Sequence, residues 1–113
     1  MEKFFRLNTA PYHRINAIRV TNSYQKKTNE YVAYVEFVET DMNGIQGLYG
    51  KTFCKEYYDI GGDGMYHLVD ASRRSKKKEE ETAKIVNERA REFAEMYIAQ
   101  VSEKIGKQLK IVA

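Results

Sequence analysis

The hydrophobic positions of this chain change period once, at about residue 70. Before that point they alternate. In YVAYVEFVE, residues 31–39, Tyr31, Ala33, Val35 and Phe37 share one side and Val32, Tyr34, Glu36 and Val38 the other, as successive side chains of a strand must. Both sides are largely apolar, which predicts a central strand. Upstream, YHRINAIRV (12–20) mixes polar and β-branched residues, and the polar run NSYQKKTNE (22–30) reads as the turn joining two strands of a hairpin. Downstream, DMNG (41–44) carries an Asn-Gly pair suited to a tight turn, GLYGKTFCKEYY (47–58) reads as a third strand bent by its glycines, and Gly61, Gly62, Asp63 and Gly64 form a further turn. MYHLVD (65–70) is a short fourth strand.

After Asp70 the period becomes about 3.6. Ala83, Val86, Ala90, Phe93, Ala94, Tyr97, Ile98, Val101 and Ile105 recur at three- and four-residue steps, while Glu88, Glu92, Glu95 and Glu103 lie opposite. This predicts an amphipathic helix over 79–105, capped at its start by Ser72 or Ser75 and closed by Gly106 in the left-handed conformation. Residues 107–113, KQLKIVA, add a last short strand or trail off. The expected fold is therefore α+β: an antiparallel sheet of about four strands within 1–70, then a basic junction and one long C-terminal helix packed on one face of the sheet.

Length and composition add limits. The 113 residues make one domain, and one proline with seven glycines is too few for a linker or a collagen-like chain. The lone Cys54 has no internal disulfide partner, the N-terminus lacks a signal-peptide stretch, and nothing approaches the roughly 20 apolar residues of a membrane span. The expected compartment is the cytoplasm, with no membrane partner.

Charge changes the picture more. Residues 1–70 hold eight Lys and Arg against nine Asp and Glu, and residues 71–113 hold eleven against seven. The excess sits in one place, Arg73, Arg74, Lys76, Lys77 and Lys78, followed at once by Glu79, Glu80 and Glu81. Fixed cations this close together raise the local concentration of anions.

The sequence offers little for catalysis. His13 and His67 stand far apart, without a His or Cys neighbour at ligand spacing, so no metal is expected. Cys54 and His67 can meet only across strands, where cysteine is usually an inert small hydrophobe. The carboxylate pairs Glu36 with Glu39 and Asp59 with Asp63 have no diagnostic spacing, and IGGDG matches neither phosphate-loop pattern. A non-enzymatic module without catalytic residues or cofactors is expected.

Nine tyrosines, among them Tyr31, Tyr34, Tyr49, Tyr57, Tyr58 and Tyr66 on predicted strands or their edges, suit base stacking or a protein interface. The leading expectation is a nucleic-acid-binding module, for single-stranded or structured nucleic acid, with Arg73, Arg74, Lys76, Lys77, Lys78, Lys51, Lys55 and Tyr57 as contacts. The alternative is a small adaptor or inhibitor, of the phage or mobile-element kind, that docks on a protein partner through its sheet face or charged helix. A homodimer is also expected. A helix of 27 residues would outrun a small domain, and Ile85, Met96 and Ala99 form a thin second apolar stripe.

Overall fold

The computed structural model describes residues 2–8, 15–39, 64–70, 73–106 and 108–112. Four strands, β1 (Glu2–Arg6), β2 (Ala17–Gln25), β3 (Glu30–Val38) and β4 (Gly64–Asp70), form one antiparallel sheet in sequence order, followed by helix α1 (Lys76–Ile105) packed against it. The α+β architecture is the one the hydrophobic periods predict. The predicted third strand at 47–58, the turn at 41–44, residues 61–63 of the predicted 61–64 turn, Ser72, His13 and Cys54 lie outside the described residues; Gly64, placed in that turn, is instead the first residue of β4.

The core lies between sheet and helix. Ile18 and Val20 of β2, and Ala33, Val35 and Phe37 of β3, meet Val86, Ala90, Phe93, Ala94, Tyr97, Ile98 and Val101 of α1, all buried. The opposite side of β3 is buried as well at Val32, Glu36 and Val38, and β3 lies between β2 and β4, the central position its two apolar sides predict. Glu36, 2 % exposed, is held by an ion pair with Arg19, its cross-strand neighbour on β2; a carboxylate this buried requires such a partner.

Three boundaries differ from the sequence reading. β2 continues through Asn22, Ser23, Tyr24 and Gln25, which the polar run had placed in the turn. The turn is only residues 26–29, closed by Asn29 at φ 56°, a left-handed conformation that Asn tolerates. The strand persists because its polar side chains find partners: the Tyr24 ring lies 5.1 Å from that of Tyr31, and Asn22 bonds to α1. β1, unread in the sequence, pairs Lys3 with Val20 and Phe5 with Ile18. Finally, α1 begins at Lys76 rather than Glu79, so Lys76, Lys77 and Lys78 form its first turn. Ser75 is the N-cap, its hydroxyl accepting from the Lys78 N–H at 3.2 Å.

Thr82, not Ala83, is the first core residue of α1. Its hydroxyl donates to the Lys78 carbonyl at 2.8 Å, so the polar atom is buried with a partner. At the other end Gly106 takes φ 71° and closes the helix on the Ser102 carbonyl. Residues 108–112 then turn back along the first strand. Ile111 bridges Leu7, the Asn8 N–H donates to the Lys110 carbonyl, and the Val112 N–H donates to the Arg6 carbonyl, both at 2.9 Å. This short pairing, the strand alternative for the tail, puts Leu109 and Ile111 against the last turns of α1. The far end of the 30-residue helix is thus covered from within the chain, which answers the excess length that had pointed to a partner. Among the described residues no helix is long and apolar enough to cross a membrane.

Candidate functional site

The basic junction is anchored before it is charged. The Ser75 carbonyl accepts from the Tyr31 hydroxyl at 3.2 Å, tying the residue before α1 to the start of β3. One turn on, the Asn22 amide nitrogen of β2 donates to the Glu79 carbonyl at 3.2 Å and to the Thr82 hydroxyl at 3.1 Å. These contacts seat the first turn of α1 at the β2–β3 end of the sheet.

That placement brings together two basic segments that are far apart in sequence. The Arg74 guanidinium lies 5.5 Å from the centre of the Tyr24 ring, and the Tyr24 hydroxyl bonds to the Asn29 side chain in the turn that carries Lys26 and Lys27. Arg73, Lys76 and Lys77 are exposed around the helix start, Lys26 and Lys27 are exposed on the turn, and Lys78 is half-buried. Arg74 is bound to Glu79 at 3.1 Å, and this hydrogen bond and ion pair hold its guanidinium above the usual arginine range. Among the described residues no ion pair engages Lys26, Lys27, Arg73, Lys76, Lys77 or Lys78. Lys76 and Lys77 form no i,i+4 ion pair with Glu80 or Glu81. Cations at a helix N-terminus oppose its macrodipole at a cost of a few tenths of a kcal/mol each. Among the described residues that cost is offset by an internal carboxylate only at Arg74.

The sequence pointed to residues 73–78 but missed Lys26 and Lys27. Their signal was a Lys-Lys pair in a run read as a turn; what local pattern could not convey is that the turn ends beside residue 74. Lys51, Lys55 and Tyr57 lie outside the described residues. Of the strand tyrosines, Tyr31 is buried and Tyr66 stacks on Phe93 at 5.5 Å on the helix side, its hydroxyl pushed up by burial. Tyr31 presents no ring to a ligand, and Tyr66 is left half-buried. Among the described residues, Tyr24, with Arg74 on its face, is the aromatic platform of this end.

Elsewhere, His67 on β4 pairs with Glu30 across the sheet, and among the described residues no cluster of three metal-ligating side chains occurs. Ile85 and Met96 are 38 % and 41 % exposed. Ala99 is exposed too, at the edge of an open groove of about 750 Å³ between α1 and residues 108–111, lined also by Glu95, Ser102 and Glu103. No protein-family model matches the chain, and neither a curated protein nor a solved structure is detectably similar to it.

Proposed function

We propose that the protein binds nucleic acid, single-stranded or structured, through the basic face formed by Lys26, Lys27, Arg73, Lys76 and Lys77 around the Tyr24–Arg74 stack. The observation that carries this reading is the convergence of two basic segments, 47 residues apart between Lys27 and Arg74, on one end of the sheet. Phosphates neutralise the cations, and an unpaired base stacks on the outer face of the Arg74 guanidinium, which Tyr24 and Glu79 hold in place.

The test is an anisotropy titration of a labelled single-stranded oligonucleotide. About five phosphate contacts give a log–log salt slope near −3.5, at about −0.7 per contact. Replacing Lys26, Lys27, Arg73, Lys76 and Lys77 by Gln abolishes binding at low salt while leaving the melting transition in place. Unchanged binding sinks the reading.

A second reading is favoured by one fact: Tyr31 is buried and Tyr66 packs on Phe93, so that among the described residues this face has one aromatic platform rather than a stacking series. An adaptor that docks an acidic protein surface uses the same cations and needs no such series. A pull-down that survives nuclease treatment and is lost in the five-Gln variant selects it.

A further inference from the structure

The geometry points to a second docking surface, for another copy of this chain: an antiparallel, two-fold pairing of α1 along the seam Lys78, Ile85, Arg89, Glu92, Met96 and Glu103. At about 100° per residue these six side chains fall within roughly 60° of one another on the helix. They lie about 120° around from the middle of the buried stripe. Five are exposed and Lys78 is half-buried.

The seam is self-complementary in one register. A two-fold axis passing midway between Ala90 and Arg91 sets Ile85 opposite Met96 of the second copy, Arg89 opposite Glu92 and Lys78 opposite Glu103, each pair occurring twice. Apolar meets apolar and cation meets carboxylate at every step, the matching that an isologous interface requires. Arg89 and Glu92 are already joined within the chain, at 2.8 and 3.0 Å. Their pairing holds both in the seam, so that two copies close a ring of four alternating charges around the axis.

Among the described residues, the sheet adds room for the partner. A helix is about 10 Å wide, and four strands at about 4.8 Å spacing are broader than one helix covers. α1 rests chiefly on β2 and β3. On β4, Tyr66 and Leu68 stay half-buried on the helix side, next to Phe93, whose ring lies under the Arg89 guanidinium at 4.7 Å. A second helix laid along the seam reaches them and adds apolar area to the contact.

Sedimentation velocity of the full chain at micromolar concentration decides the matter. The wild type gives about twice the monomer mass of 13.2 kDa, and Ile85→Glu gives the monomer with its helical circular dichroism intact. Lys78→Glu alone and Glu103→Lys alone each weaken the dimer about tenfold by setting like charges opposite. Mixing the two single variants restores it, because each end of the mixed pair again joins a cation to a carboxylate. Residues 78 and 103 are about 37 Å apart on one helix at 1.5 Å per residue, so no intrachain effect mimics that rescue. A wild-type mass of 13.2 kDa overturns the proposal, as does a dimer indifferent to the charge reversals or one that mixing fails to restore.

Discussion

Asn22 shows how a polar side chain earns a place in a strand. Its amide nitrogen bonds the Glu79 carbonyl and the buried Thr82 hydroxyl, joining β2 to the first turn of α1. Asn22→Ala removes both bonds but leaves Thr82 its own bond to Lys78. The expected loss, about 1–2 kcal/mol, is measured by urea denaturation. Neighbouring residues gave no hint of this role, since the partners lie 57 and 60 positions away; an Asn within NSYQKKTNE looks like turn chemistry. Other roles were readable residue by residue. Ser75 and Gly106 cap α1 as their types predict, because the orphan groups at helix ends select a short hydroxyl side chain at one end and a left-handed glycine at the other. At the surface, the Arg89 hydrogen bond and charge hold the Glu92 carboxyl below its usual range. A depressed folded-state pKa contributes stability above the unfolded value and loses it as pH falls through the folded one. The pair is exposed and the effect on stability correspondingly slight. The direct readout is an NMR pH titration, in which Arg89→Gln raises the Glu92 midpoint back to the ordinary glutamate range.

Elements differ in how much of them is written locally. The period of α1 holds from Val86 to Val101 without a break, because one face must stay apolar along the whole sheet it covers, and so it can be read without knowing that sheet. β1 is only five residues, EKFFR, half-exposed where it faces the core, and its place is set by pairing with residues 17–21, so its own pattern carries almost nothing. The packing of α1 on the sheet makes two contrasting predictions about glycine. At Gly64, an added Cβ stands 2.7 Å from Tyr97 Cδ1 and 3.3 Å from Tyr66 Cε2, so Gly64→Ala forces rings in the core to move and costs about 1–3 kcal/mol. At Gly106 nothing lies within 4 Å, and Gly106→Ala costs only the left-handed backbone, about 1 kcal/mol. Phe93→Ala, which empties a buried ring site between Tyr66 and Arg89, costs about 3–5 kcal/mol, while Glu88→Ala on the exposed side changes the denaturation midpoint little.

At the scale of the whole molecule, the proposed basic face at one end of α1 and the proposed pairing along its side together set a length scale for ligand binding. In the antiparallel pair, each Lys76 stands about 22 Å from the axis at 1.5 Å per residue, so the two basic faces lie about 43 Å apart. Two-fold symmetry about an axis perpendicular to both helices leaves them at the same height along that axis. Duplex DNA is stiff on this scale and rises about 3.4 Å per base pair, so it serves as a ruler: about 13 base pairs bridge the faces. A shorter duplex engages one face and binds with the affinity of that face alone. A longer one turns the second contact into an intramolecular event and gains on the order of a hundredfold through effective concentration. The expected profile of affinity against length is therefore a step between about 10 and about 20 base pairs, superposed on the gradual rise that any added binding register brings. Ile85→Glu keeps the gradual rise and the one-face affinity but loses the step. Raising the salt concentration lowers both branches and steepens the loss for the longer duplexes, since bridging doubles the number of neutralised phosphates. A step that persists in the monomeric variant would mean that each chain carries two separate anion contacts; a smooth curve in the wild type would mean that the two faces do not act on one ligand.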